Sequence, residues 1–282
     1  MITAGTGPIM MLESDVILQN GMAKSGNYWL YSCLQVLLAE AGAPMRSYIQ
    51  NHAIQEEAES WVLSFPEQAT IDVIDITPGG YYTRISSKFS EEIGDLESYL
   101  SRVRHLWSHS PYRQRLSDDV YGRCRAVFYI VRDPRDALLS QADHMFSEYG
   151  RTYLKPAAPD RESFIDERSK AYPGHWANHV SGHLNLPSSL PVTIIQYEDM
   201  KADLPGELKR MASAMGLEGI SRARMESLAS GLGFNAMKER SGTAHVNKGR
   251  TGRWRSELTG EQNDRFISAA GDLMAQLGYA AG

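Results

Sequence analysis

Two segments of this chain set a positive charge where backbone amides can join it in gripping an anion. The first is Gly21 to Asn27 (GMAKSGN), a loop between a short apolar run and a helical pattern. A loop in that place exposes the free N–H groups of a helix N-terminus, where the helix dipole also favours negative charge. Its glycines let the backbone come close to a ligand, and Lys24 adds a mobile point charge with three donors. The second segment begins where the apolar run Ala126 to Val131 (AVFYIV) meets Arg132-Asp133-Pro134-Arg135-Asp136. An arginine there offers a phosphate a forked, permanently charged donor, and Ser140, on the helix that follows, adds a hydroxyl. Each segment alone also has a plainer reading. The first is then a glycine turn with a solvated lysine, and the second a surface turn pairing Arg132 with Asp136 or Arg135 with Asp133.

The elements that must hold these residues are visible in the hydrophobic pattern. Val16-Ile17-Leu18 predicts a strand that the turn signal Asn20-Gly21 closes. From Trp29 to Ala41 apolar residues recur at helical spacing and stop at Gly42, with Pro44 beyond. Ile71 to Ile76 alternates apolar with acidic residues and predicts a strand; Leu96 to Val103 predicts a helix that leads into Leu106-Trp107. AVFYIV is continuously apolar, as a strand covered on both faces should be, and Leu138 to Phe146 returns to helical spacing. Val192 to Tyr197 predicts another strand, and from Leu204 onward the pattern is mainly helical. Alternating strands and helices predict an α/β fold: a single domain over residues 1–282, with a central, mostly parallel sheet flanked by helices. A surface loop or lid is expected at about 150–175 and a late Gly-rich basic loop at 245–256. Ligands of such sheets bind beyond the carboxyl ends of the strands, where both cationic segments fall.

The 282 residues carry a net charge of -5, so the chain lacks the overall basic field of a nucleic-acid binder. No run approaches the roughly 20 apolar residues that span a bilayer, and the N-terminus lacks a signal-peptide pattern. Two cysteines, Cys33 and Cys124, are too few for a disulfide framework and point to a reducing compartment. The expectation is a cytoplasmic protein that binds neither nucleic acid nor membrane.

Five stretches, in order and spacing, resemble the cytosolic sulfotransferases that use 3′-phosphoadenosine 5′-phosphosulfate (PAPS), a family with a P-loop-like fold. AKSGNYW, Ala23 to Trp29, is similar to the family's PKSGTTW phosphosulfate loop, and YIVRDPRDALLS, Tyr129 to Ser140, to its 3′-phosphate segment. YPGHWANH (Tyr172 to His179), TIIQYEDMKAD (Thr193 to Asp203) and NKGRTGRWRSELT (Asn247 to Thr259) resemble three further family stretches. The resemblance implies that Lys24 stabilises the leaving phosphosulfate, within a loop that includes Ser25, Gly26, Asn27 and Tyr28. It implies that Trp29, Tyr197 and Phe234 meet the adenine, with Met237 near Phe234. It also implies that Arg132 and Ser140 bind the 3′-phosphate, joined by Asn247, Lys248 and Gly249 from the late loop. Trp107-Ser108-His109 stands where the family has a K-T-H stretch with its catalytic base, so His109 is the implied base and His105 its nearby competitor. Departures are Asn27 and Tyr28 in place of two threonines, Trp107 in place of a lysine, and Asn247 in place of an arginine. The family's dimer pattern survives only as Arg255, Thr259, Gly260 and Asp264, which implies no oligomeric state.

The implied reaction is in-line transfer of a sulfuryl group from PAPS to the hydroxyl of a small-molecule or natural-product acceptor, leaving adenosine 3′,5′-bisphosphate (PAP), with no metal. His109 takes the hydroxyl proton, which requires a neutral imidazole. Two alternatives stay open on the sequence: a magnesium-dependent small-molecule kinase using the same front loop, and a non-catalytic nucleotide-binding relative. The triphosphatase loop places its lysine after the second glycine, whereas Lys24 precedes Gly26.

Overall fold

A computed structural model of the chain describes residues 15–233, 236–237 and 249–280. In chain order its first half contains β1 (Ile17–Asn20), α1 (Asn27–Glu40), α2 (Gln55–Ala58), β2 (Ile74–Thr77), β3 (Gly80–Ile85), β4 (Phe89–Glu92), α3 (Leu96–Ser101), β5 (His105–Ser108), α4 (Gln114–Tyr121) and β6 (Ala126–Val131). There follow α5 (Pro134–Met145), α6 (Arg161–Leu184), β7 (Val192–Gln196), α7 (Tyr197–Ala202), α8 (Leu204–Ala214), α9 (Arg222–Gly231), α10 (Trp254–Glu257) and α11 (Gly260–Gln276).

β5, β1, β6 and β7 form, in that order, a parallel sheet flanked by helices, the α/β domain that the pattern predicts. β6 spans the AVFYIV run and is buried throughout, and its side chains alternate between the two faces. Phe128 and Ile130 pack with Leu30 and Leu34 of α1 and Met211 of α8 on one face. Tyr129 and Val131 pack with Leu138 of α5, Trp176 of α6 and Phe266 of α11 on the other. The chain leaves β1 toward β5 on one side and later returns to β6 on the other. The carboxyl ends of β1 and β6 therefore flank a topological switch point, where parallel sheets leave a crevice.

Three expectations need adjustment. Asn20 is the last residue of β1 rather than a turn, paired in register with Ser108 and Tyr129. It can be buried there because its amide nitrogen donates to the Ser110 carbonyl at 2.9 Å while its Oδ1 accepts from Gly21 N at 2.6 Å. The 71–76 segment does not join the parallel sheet as a strand. Only Val73 bridges to Trp107, and 74–77 pairs antiparallel with β3 in a separate three-stranded sheet, β2-β3-β4. The 150–175 stretch is only partly loop. Gly150–Leu154 is a single wide helical turn, and from Arg161 onward the chain is α6, whose N-cap Asp160 accepts from Ser163 N at 2.8 Å. Among the described residues no helix is long and apolar enough to cross a membrane.

Candidate active site

A cleft of about 580 Å³ opens where the loops after β5, β1, β6 and β7 converge. Lys24, Gly26, Asn27, Tyr28 and Trp29 line it from the front loop and α1. Arg132 and Ser140 line it after β6, His109 after β5, Tyr197 after β7, and Gly249 from the late loop. Ser25 is buried and is not among the lining residues. Phe234, Asn247 and Lys248 lie outside the described residues.

The front loop is held in a conformation that few sequences can adopt. Gly26 has φ 103°, and a Cβ there would come within 2.5 Å of the Tyr197 ring, so both backbone and neighbour require glycine. Lys24 itself sits at φ 71°, a left-handed conformation that costs a non-glycine residue about 1–3 kcal/mol. Its carbonyl accepts from Arg132 Nη1 at 3.2 Å, tying together two loops 108 residues apart in sequence. Asn27, in place of a threonine, donates through Nδ2 to the Met22 carbonyl at 2.7 Å, so its amide closes the loop.

Two cations thus share the cleft. Burial first, and then the charge of Arg132, push the Lys24 pKa down to about 8, with Asp143 opposing. Among the described residues no ion pair includes Lys24 or Arg132; Asp143 is taken up by Arg161 at 2.7 Å and Arg253 at 2.8 Å. The Arg132 guanidinium lies 4.3 Å from the Tyr197 ring centroid and donates to the Arg250 carbonyl at 2.9 Å. Trp29 stands edge-on to Tyr197, with centroids 5.5 Å apart, beside the apolar Met200, Leu204, Ala229 and Met237. This end of the cleft is aromatic and apolar, next to a charged one.

The acidic residues of Arg132-Asp133-Pro134-Arg135-Asp136 build the site instead of neutralising it. Asp133 caps α5 and pairs with the fully buried Arg135 at 2.8 Å, so that pairing does form, as an interior lock and not as a surface turn. Arg135 also lies 3.4 Å from the Trp254 ring centroid. Asp136 accepts from Gly252 N at 2.5 Å and Trp254 N at 3.1 Å, which docks the late loop against the cleft. Glu198, from the YEDM stretch, accepts from Asp133 N at 3.2 Å and from the Tyr279 hydroxyl at 3.1 Å.

On the opposite wall His109 is half-buried and faces the cleft. Its Nδ1 lies 2.6 Å from the Gly21 carbonyl, and its Nε2 receives the Trp107 indole N–H at 3.0 Å. An indole N–H only donates, so the network assigns the proton to Nδ1 and leaves Nε2 as the acceptor. Surrounding protein pushes the His109 pKa down to about 4; the Gly21 hydrogen bond works the other way, while Arg84, His179 and Lys24 add to the lowering. From behind, His179 of α6 bonds the His109 carbonyl at 3.2 Å and the Tyr129 hydroxyl at 2.8 Å. His105 points elsewhere. It stacks on Tyr31 at 4.8 Å, bonds Gln35 at 2.8 Å, and borders a separate pocket of about 210 Å³. Beside His109 the wall is aromatic: Tyr28 packs on Phe65 at 4.8 Å, and Phe65 on Trp107 at 6.4 Å. Tyr28 is turned to this wall, its hydroxyl 3.3 Å from Glu67.

Some lining residues carried no sequence signal. Arg253 is one of three arginines between 250 and 255, and spacing alone gave no reason to choose it. Arg84 comes from β3, whose strand pattern was not read, and pairs with Asp75 across the hairpin at 2.6 Å. His144 lies four residues after Ser140, one helical turn along α5, a spacing that would have placed it on the cleft side.

The chain is 25% identical over 276 residues to sulfotransferase 2A6 of Mus musculus, covering 93% of this chain and 85% of that protein. It is 24% identical over 188 residues to sulfotransferase 2A6 of Rattus norvegicus; that match covers 61% of this chain and spans 64% of the rat protein. Mouse sulfotransferase SULT7A1, solved in complex with PAP, shares its fold with a TM-score of 0.60 at 20% identity, covering 95% of this chain and 88% of that one. A retinol dehydratase, solved with androsterone and the inactive cofactor PAP, aligns with a TM-score of 0.62 at 17% identity, covering 94% of this chain and 82% of its own. The family model of the sulfotransferase domain matches residues 13–278, and by that span the chain belongs to the sulfotransferase family.

Proposed function

We propose that this sulfotransferase binds PAPS along the cleft and passes its sulfuryl group to the hydroxyl of a small, lipophilic acceptor seated against Tyr28, Phe65 and Trp107. One observation carries the reading: Lys24 and Arg132, from loops 108 residues apart, meet in a single cleft, and among the described residues neither takes part in an ion pair. Such a pair fits a donor with an anionic group at each end, and the aromatic, apolar end of the cleft at Trp29 and Tyr197 suits a base beside it. Lys24 and the α1 N-terminus hold the 5′-phosphosulfate, while Arg132 and Ser140 hold the 3′-phosphate. Gly249 adjoins them, with Asn247 and Lys248 assigned there by resemblance. His109 Nε2 takes the acceptor proton as the new oxygen–sulfur bond forms and the sulfur–bridging oxygen bond breaks. Lys24 then stabilises the charge left on the departing bisphosphate. The magnesium-dependent kinase alternative is not favoured. The aromatic wall supports a lipophilic acceptor, and two solved structures of retinol dehydratase hold androsterone or retinol. Free, buried Cys33 and Cys124 fit a cytoplasmic enzyme.

Thermal shift with PAP and with ATP tests the donor, since a ligand of the folded state raises the midpoint. PAP should raise it without metal; a larger rise with ATP and magnesium would overturn the reading. Transfer from PAPS to 2-naphthol, dehydroepiandrosterone and 1-hexanol then ranks the acceptor class, and the two ring compounds should lead.

A further inference from the structure

The reading of His109 as the base meets an obstacle in its own surroundings. The basic nitrogen that must receive the acceptor proton is already occupied, because Trp107 Nε1–H donates to it at 3.0 Å. Both residues are fixed. Trp107 is the third residue of β5, with 7% of its surface exposed and its ring packed on Phe65 and Tyr31. His109 is anchored through Nδ1 to the Gly21 carbonyl, and its backbone carbonyl is held by His179. An acceptor hydroxyl approaching Nε2 therefore meets the indole first.

We infer that Trp107 is a positioning residue that caps His109 in the resting enzyme, so that an acceptor reaches the base only by taking the place of the indole N–H on Nε2. The inference rests on His109 being the base. Its logic is that of an internal competitor. The cap holds the imidazole in the tautomer with Nδ1 protonated, which is the one a general base needs, and keeps Nε2 from pairing with water. An acceptor that brings both a hydroxyl and a ring displaces it most readily, because the ring replaces the wall contacts that a moved indole gives up. Displacement takes place on binding and persists through transfer, so its cost falls on KM and leaves kcat unchanged.

The cap also bears on the protonation of His109. Protonating Nε2 requires the indole bond to break, so Trp107 favours the neutral ring, in the same direction as burial and the nearby Lys24, Arg84 and His179. Those charged and titratable neighbours are all retained when Trp107 alone is replaced by a ring without a donor.

The test uses the full chain labelled with 15N-histidine, as wild type, Trp107→Phe and His109→Ala, the last to assign the signal. In the unmodified chain His109 should show a protonated Nδ1 and a hydrogen-bonded, unprotonated Nε2. In Trp107→Phe, with folding checked by the PAP thermal shift, Nε2 should lose the indole hydrogen bond and shift away from its wild-type position. The protonation midpoint should rise by roughly half to one pH unit. With 2-naphthol as acceptor, kcat/KM should rise about five-fold, because Phe keeps a ring on the acceptor wall and brings no N–H to be displaced. A folded Trp107→Phe with unaltered Nε2 and midpoint, or with KM raised and kcat lowered together, overturns the cap while leaving the base in place. Full kcat in His109→Ala overturns the base itself and the cap with it. Should Trp107→Phe fail to fold, the wild-type spectrum decides alone: a protonated Nε2 sinks the proposal.

Discussion

The two walls of the cleft solve opposite problems. The wall proposed to hold the donor keeps two cations together that, among the described residues, form no ion pair, and its neighbouring contacts hold them there. Gly26 is pinned against Tyr197, the Lys24 carbonyl is tied to Arg132, and the acids of the β6 loop are spent on Arg135 and on the backbone of the late loop. Burial first, and then the charge of Arg132 held close by packing, make Lys24 hold its proton less tightly than a solvated lysine does. The acceptor wall has little such scaffolding. Tyr28, Phe65 and Trp107 come from a helix, a loop and a strand, and touch one another mainly through ring contacts. A wall built from fixed charges tolerates little change, whereas a wall built from apolar area tolerates swaps of similar shape.

That contrast can be broken by substitution, most forcefully at His109, the proposed base. His109→Ala should lower kcat about 10²–10⁴-fold while PAP binding stays within two-fold, measured by transfer assay and calorimetry. On the donor wall, Arg132→Ala should weaken PAP binding about ten- to a hundred-fold, because it removes charged hydrogen bonds to a phosphate. If Arg132→Ala leaves PAP affinity unchanged, the two cations do not act as one site.

The pH dependence of binding sharpens the same point. The Lys24 pKa, lowered to about 8 in the free protein, rises again once an anion sits against it, so PAP binding takes up a proton above pH 8. Affinity should be flat below that pH and fall roughly ten-fold between pH 7 and pH 9, with Lys24→Arg flattening the curve because arginine stays charged. Stability of the free protein runs the other way. A lysine with a depressed folded pKa binds fewer protons when folded than when unfolded, so its burial penalty eases as pH rises from about 8 toward the ordinary lysine range. Calorimetric titration and thermal melts over that range check both signs.

The same contrast explains what could be read without coordinates. Lys24 and Arg132 announce themselves because a cation among glycines, or directly after a continuous apolar run, is an unusual local pattern. The parallel strands were legible for a related reason: β6 is buried on both faces and has no polar residue to blur its limits. The acceptor wall was not legible, since Phe65 and Tyr28 read as ordinary core and nothing local says that they border a cavity. The β2-β3-β4 sheet was largely missed because residues 80–85 are mostly half-buried, so no clean alternation marks the hairpin. Asp136 shows the limit from another side. Its partners, Gly252 and Trp254, lie 116 and 118 residues away, and a charge that close to Arg132 reads more simply as its ion pair.

The smallest expected effect separates the walls most finely. Tyr28→Phe removes only the hydroxyl that reaches Glu67 at 3.3 Å in a partly solvated place, while the ring keeps its contact with Phe65. The loss in stability should be under about 1 kcal/mol, and PAP affinity should not move, because Tyr28 faces the acceptor side. Gly26→Ala is the matched change two residues away, on the side proposed to hold the donor. It adds a single methyl, yet it asks for φ 103° from a side-chain-bearing residue and puts Cβ 2.5 Å from Tyr197. Its cost should be about 1–3 kcal/mol, with PAP binding weakened as well, since Tyr197 must shift. Measured together by melts and calorimetry, the pair asks whether one added methyl on the donor wall outweighs one lost hydroxyl on the acceptor wall. Equal effects would mean that the two walls are not built on different principles.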